Sequence, residues 1–145
     1  MNLFNNIYNG KTVLITGNTG FKGTWLANIL IRLGANVIGY ALKPVINPNH
    51  FEILNLNYKT YFEDINNIDK ISEVFKLNQP DIVFHLAAQP LVRYSYQNPI
   101  ETYRTNVMGT ANLLDSARKC ESVKAIIVVT TDKCYENIEQ NFGYI

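Results

Sequence analysis

At 145 residues, 47% hydrophobic and 17% charged, the chain is one domain's worth of sequence with enough apolar content to bury a core, unlike a disordered chain. Its net charge of +1 gives no electrostatic reason to expect nucleic acid or an anionic membrane as a partner. No apolar run approaches the roughly 18 residues of a membrane span, and residues 1–10 lack a basic segment followed by an apolar one, so the expected location is the cytoplasm.

Residues 1–10 are polar and Asn-rich, a lead-in expected to order only in part. Val13, Leu14 and Ile15 then form a short continuous apolar run, the pattern of a strand buried on both faces. Gly17, Gly20 and Gly23 follow at G-x-x-G-x-x-G spacing, and Phe21, Trp25, Leu26, Ile29, Leu30 and Leu33 recur with helical period. Strand, glycine turn and helix in that order make a phosphate site. Gly17 permits the tight turn, Gly20 lets the backbone approach a pyrophosphate, and Gly23 lets the helix press on the strand. The helix N-terminus offers free N–H groups and a positive dipole end to the anion. A glycine-rich connection without a ligand is the competing reading, and the flanking strand and amphipathic helix favour the nucleotide.

Gly34 and Ala35 end that helix, and residues 36–41 read as a second strand. A turn-rich loop over 44–49 leads to a short helix carrying Phe51, Leu54 and Leu56, and residues 60–63 form a third strand. Ile68, Ile71, Val74 and Phe75 give the next helix its apolar face, and residues 78–80 stop it. Residues 81–87 are a fourth strand and 88–97 a loop. Asn98-Pro99-Ile100-Glu101 has the form of an N-terminal cap for a helix running to about Lys119, with Val107, Ala111, Leu114 and Ala117 toward the sheet. Residues 124–130 are a fifth strand. Strands alternating with helices predict an α/β fold, a doubly wound parallel sheet in the order 3-2-1-4-5, covered on both faces. The ligand is expected at the carboxyl ends of the strands, where the order reverses.

That rule singles out the residues just after each strand. They are Thr16, Gly17, Gly20, Phe21, Lys22 and Gly23, then Asp64 and Ile65, then Leu86, Ala87, Ala88 and Gln89, and finally Thr130. After strand two an NAD site usually carries an acid for the ribose hydroxyls. Here Tyr40-Ala41-Leu42-Lys43 has none, and Lys43 is either a partner for a 2′-phosphate or a solvated lysine. Asp64 either accepts from an adenine amino group or caps a helix, a job for which Asn66 competes. Ala87 and Ala88 are small where a flat nicotinamide must pass the backbone, and would otherwise be core alanines. Thr131-Asp132-Lys133 puts a hydroxyl, a carboxyl and an amine at the mouth of the crevice, either a general acid and base or a polar turn. Cys120 and Cys134 are too few for a disulfide framework and read as small buried apolar residues. His50 and His85 lack the spacing of a helical metal pair, so no metal site is expected.

The glycine spacing resembles the extended, sugar-nucleotide-modifying branch of the short-chain dehydrogenase/reductases. Five motifs together resemble the CDP-glucose 4,6-dehydratases: Thr16-Gly-Asn-Thr-Gly-Phe-Lys-Gly23, Gly39-Tyr-Ala-Leu42, His85-Leu-Ala-Ala-Gln-Pro-Leu-Val-Arg93, Thr105-Asn-Val-Met-Gly-Thr110 and Thr130-Thr-Asp-Lys-Cys-Tyr-Glu-Asn137. Thr131 to Tyr135 discriminate, since related dTDP-glucose dehydratases carry Thr-Asp-Glu there. The resemblance implies NAD as cofactor and a nucleotide-sugar substrate, CDP-glucose, converted to CDP-4-keto-6-deoxy-glucose with loss of water. It implies Thr131 on the C4 oxygen, Asp132 protonating the departing C6 hydroxyl and Lys133 at the place where the related family's glutamate takes the C5 proton. Asn106 would fix the active-site backbone, and Gln89 and Arg93 would border the sugar. The family also uses a Tyr-x-x-x-Lys pair, and none of the nine tyrosines has lysine four residues on. The expectation is therefore a cofactor domain incomplete at its C-terminus, lacking the substrate domain, inactive alone and a homo-oligomer when full length. Another nucleotide-sugar epimerase or reductase, or a non-catalytic NAD-binding module, are the alternatives.

Overall fold

The computed structural model describes residues 3–131, 134–136, 138–139 and 142–143. Its sheet comprises β1 (Thr12–Thr16), β2 (Asn36–Ala41), β3 (Lys59–Phe62), β4 (Ile82–His85) and β5 (Ala125–Val128). The strands are parallel in the order β3-β2-β1-β4-β5, as the alternation predicts. The connections carry α1 (Phe21–Arg32), α2 (His50–Leu54), α3 (Ile68–Asn78), α4 (Val92–Gln97), α5 (Pro99–Tyr103) and α6 (Gly109–Arg118). A π turn, Arg104–Met108, joins α5 to α6 without leaving helical backbone angles, so the expected long helix is present with one wide turn inside it.

Alternation along β1 divides the core. Leu14 faces one side with Tyr40, Ile71, Phe75 and Leu113, whereas Val13 and Ile15 face the other with Ala27, Leu30 and Val37. Asp81 pins the lower edge, accepting from the Thr12 N–H at 3.0 Å and from Lys11 Nζ at 3.1 Å. Leu33, Gly34 and Ala35 close α1, with the Ala35 N–H reaching Leu30 O and the Gly34 N–H reaching Ile31 O, a 6→1, 5→2 pair that needs the positive φ of 83° at Gly34. The end of the lead-in is tied down, since the Gly10 N–H donates to Gly34 O and Tyr8 packs on the core.

Several expectations need correcting. The apolar stripe of α1 faces the sheet only in part: Leu30 is buried with Gly23, Thr24 and Ala27 and Leu26 packs against that cluster, whereas Phe21, Trp25 and Ile29 are 70%, 45% and 47% exposed. The stripe on α6 is also partly displaced: Ala117 is buried as expected, but Val107, Ala111 and Leu114 are exposed and Gly109, Leu113 and Ser116 complete the buried seam. Small residues win both seams because helices approach closely there. A Cβ at Gly109 would lie 2.6 Å from Ile65 Cγ2, and Ser116 Oγ meets Ser72 Oγ of α3 at 2.9 Å. The 98–101 cap does not form either. The helix does begin at Pro99, but Asn98 makes no side-chain cap bond: its amide is turned back to Tyr94 O at 3.5 Å, and Glu101 accepts from the Tyr94 hydroxyl at 2.6 Å. The tyrosine sits on α4, a helical turn within the stretch read as loop. Finally, β5 is not covered on both faces: Ile126 and Ile127 remain 36% and 39% exposed. Of the cysteines, Cys120 is half-buried and Cys134 exposed, its thiol 3.3 Å from Thr131 O.

Candidate functional site

The glycine turn is held from three sides. The Gly17 N–H donates to Tyr40 O of β2 at 2.9 Å, Thr19 Oγ1 donates to Leu42 O, and Thr24 Oγ1 of α1 reaches back to Asn18 O. Gly17 has φ +70°, and a Cβ on it would lie 2.8 Å from Ala87 N, so glycine is required by angle and by space. Gly23 abuts the turn rather than the strand, since its Cβ would fall on Gly17 O. Asn18, fully buried, inserts its amide between strands, donating to Tyr58 Oη and Thr60 Oγ1 at 3.0 and 3.1 Å, with Gly39 left side-chain-free beneath it.

Gly20 is different. A Cβ there meets only Gly17 O, at 3.3 Å, so its outer side is open. It stands at the N-cap of α1 with no side-chain cap bond, and the first turn carries no acid. Uncapped N–H groups of Phe21, Lys22 and Gly23 therefore stand at the positive end of a twelve-residue helix. This fits a phosphate.

An open cleft of about 1590 Å³ runs over these carboxyl ends. Its lining brings together Gly17, Gly20, Phe21, Lys22 and Gly23 with Asp64, Ile65, Leu86, Ala87, Ala88, Gln89, Thr130 and Thr131. Thr16 lies fully buried beneath the floor, and Arg93, exposed on α4, does not line the cleft. Asp132 and Lys133 lie outside the described residues. Asp64 does not cap α3, a role Asn67 fills by accepting from the Lys70 N–H. Instead Asp64 Oδ1 accepts from the N–H and the side-chain amide of Asn66. Lys43 is not in the lining, and its ammonium sits 5.7 Å over the Phe62 ring.

Several contributors were not foreseen. Glu63, at the end of β3, lines the cleft, its N–H bonded to Ala41 O of β2. A carboxylate absent after β2 is thus present at the exit of the neighbouring strand, a relation only the sheet pairing creates. Burial, then the Glu63 and Asp64 carboxylates, hold the Tyr40 hydroxyl well above the ordinary phenol range. That hydroxyl donates to Asp64 O. Asn106, by contrast, was expected to fix the backbone here, and on the π turn it exchanges two bonds with Gln89, accepting from its N–H at 2.8 Å and donating to its carbonyl at 3.1 Å. The Gln89 side chain folds back to Leu91 and Thr102. A histidine closing an otherwise apolar strand was the one sequence signal of a buried polar connection at His85.

With this geometry in place, three comparisons bear on it. The family model for GDP-mannose 4,6 dehydratase matches residues 14–142. A CDP-glucose 4,6-dehydratase of Salmonella typhimurium is 48% identical over 141 residues, which is 96% of this chain and 39% of that enzyme. An epimerase of Methanothermobacter thermautotrophicus superposes with a TM-score of 0.81 at 27% identity, covering 97% of this chain and 41% of the other. A UDP-glucose 4-epimerase of Brucella ovis, solved in complex with NAD, superposes with a TM-score of 0.71 at 28% identity, covering 82% and 35%. The chain thus spans about two fifths of the length of the proteins it matches.

Proposed function

The chain belongs to the GDP-mannose 4,6-dehydratase family, and from that premise we propose that residues 1–145 are the NAD-binding domain of a cytoplasmic nucleotide-sugar 4,6-dehydratase acting on CDP-glucose. The observation that carries the cofactor is the uncapped first turn of α1, opening on the cleft where the strand order reverses. The reaction class and the sugar nucleotide rest on the similarity to the Salmonella enzyme.

In this reading Gly20, Phe21, Lys22 and Gly23 hold the pyrophosphate with backbone N–H groups, and Asp64 and Ile65 border the adenine. Leu86, Ala87, Ala88, Gln89 and Thr130 line the path to the nicotinamide. Thr16 acts from beneath, bracing the exit of β4 by accepting from the N–H groups of Leu86 and Ala87, at 3.2 Å each. The Glu63 and Asp64 carboxylates disfavour a 2′-phosphate, and Lys43 is turned onto Phe62, which supports NAD over NADP. When bound, NAD supplies hydride acceptance from the sugar and its return. Thr131 would hydrogen-bond the C4 oxygen, Asp132 protonate the leaving C6 hydroxyl and Lys133 remove the C5 proton. Gln89 borders the sugar, and Arg93 joins it only if α4 shifts toward the cleft. No Tyr-x-x-x-Lys pair occurs within residues 1–145, so these residues alone bind without turnover. The exposed apolar face of Ile100, Tyr103, Val107 and Leu114 supports a homo-oligomer for the whole enzyme.

Calorimetric titration with NAD⁺ and NADP⁺, followed by incubation with CDP-glucose, tests this. Saturable binding of NAD⁺ in preference to NADP⁺, without release of a 4-keto product, is expected. Failure to bind either dinucleotide overturns the assignment.

A further inference from the structure

His85 ends β4 beneath the cleft, 2% exposed, and the chemistry above does not use it. Its Nδ1 lies 2.7 Å from Thr16 Oγ1 and its Nε2 2.9 Å from Thr110 Oγ1. Counting donors orients every proton in this chain. Thr16 Oγ1 already accepts from the Ala87 N–H and from the Leu86 N–H, which it shares with the Thr16 carbonyl at 3.2 Å, and this leaves its own proton for His85 Nδ1. With Nδ1 bare, the ring proton sits on Nε2 and is donated to Thr110 Oγ1. Thr110 in turn donates to the Asn106 carbonyl at 2.7 Å. Asn106 then carries the connection to both backbone groups of Gln89.

The path runs from the last residue of the strand that bears the glycine turn, across β4, into the π turn and out to the segment after β4. The links run in one direction, because the Asn106 carbonyl can only accept the Thr110 proton and Thr110 Oγ1 is then left to accept from His85 Nε2. Neutral imidazole suits the middle place because its acceptor and donor lie on opposite ring edges and can join two elements that do not touch. The π turn has a role here too. A wide turn is a strained departure from the helix, and such turns recur where a helix must present a side chain off its regular phase. At this one the Asn106 side chain meets the Gln89 backbone while its carbonyl takes the Thr110 proton.

We propose that His85, held as its Nε2–H tautomer between Thr16 and Thr110, is a positioning residue that couples the strand of the glycine turn to Gln89 through Asn106. The functional meaning of Gln89 as sugar border rests on the reading of the cleft above, but the coupling is tested without any ligand. Backbone hydrogen exchange is measured by NMR on the 145-residue chain, for Thr110→Val and for Thr110→Ser. Thr110→Val keeps the shape and removes the relay. It should speed exchange of the Gln89 N–H about tenfold, the loss of one net hydrogen bond, while the Leu14 and Val83 amides of the sheet keep their protection. Thr110→Ser restores the hydroxyl and should restore Gln89. In the parent chain, long-range ring-nitrogen spectra should find the His85 proton on Nε2.

Unchanged Gln89 exchange in Thr110→Val overturns the coupling, as does an equal rise at all three amides or a Thr110→Ser chain that behaves like the valine variant. A ring proton on Nδ1 overturns it in the parent alone, which decides the matter even where Thr110→Val does not fold. A chain that binds no dinucleotide but shows the expected exchange pattern would remove the reading of the cleft and leave the coupling intact.

Discussion

Gly17 and Gly20 belong to one motif yet answer to different constraints. A methyl group on Gly17 meets backbone of residues 86 and 87 under 3.0 Å, at a φ that L residues avoid. At Gly20 the same methyl group touches only one carbonyl, at 3.3 Å, and otherwise projects into open space. Gly17→Ala should therefore cost stability, by about 1–3 kcal/mol from the angle alone, read as a lower urea midpoint. Gly20→Ala should leave the urea midpoint close to the parent's and weaken NAD⁺ binding instead. If Gly20→Ala bound NAD⁺ as the parent does, the pyrophosphate would not lie over that residue. Both glycines were legible from their spacing. The partner that makes Gly17 indispensable, the exit of β4 some seventy residues away, was not, because no periodicity encodes which strand lies beside β1.

At the scale of elements, α1 and α6 carry one lesson. Each has a stripe of apolar residues at helical period, and in each the sheet-side seam is rotated off it, sharing Leu30 on α1 and Ala117 on α6 but otherwise built of small residues and, on α6, Leu113. Hydrophobic periodicity ranks faces by transfer free energy, whereas packing between close elements selects the face that admits the neighbour. On α1 the displaced Phe21 and Trp25 stack on His50 of α2 at 5.3 and 5.0 Å between ring centroids. Adjacent residues of α6 make the difference measurable. Leu113 is fully buried in the cluster with Ile71 and Phe75, and Leu114 is 40% exposed. Leu113→Ala should lower stability by about 2–5 kcal/mol, and Leu114→Ala by only about 0.5 kcal/mol, in chemical denaturation. The reverse order would restore the stripe read from the sequence.

Stability of the whole molecule should fall in two steps as pH is lowered. Burial holds the His85 imidazole below its ordinary value of 6.5, so the unfolded chain takes up that proton first. The contribution of neutral His85 is complete above pH 6.5 and declines from there down to its folded pKa. The second step comes from carboxylates held below their ordinary value of 3.8, Asp81 chiefly by the Thr12 N–H and then by Lys11, and Asp115 chiefly by Lys119 and then by Arg118. Their contribution is present above pH 3.8 and is lost as pH falls through the depressed values. Urea midpoints between pH 8 and pH 3 should show both declines, and His85→Gln should abolish the upper one. A parent chain whose midpoint stays level between pH 7 and pH 5 would contradict the buried neutral imidazole.

The sequence by itself determined the parallel α/β order, the glycine turn between β1 and α1 and most of the segments that reach the cleft, because these follow from local pattern: apolar runs, glycine spacing and the handedness of βαβ crossovers. Only the tertiary structure decided which helix faces are buried, that Glu63 of β3 stands where β2 has no acid, and that Thr16, His85, Thr110 and Asn106 form one chain. Each of those depends on which distant residues the sheet order makes neighbours. A hydrogen bond or a packed seam is a property of two surfaces at a fixed separation, and a single line of residues specifies only one of them at a time.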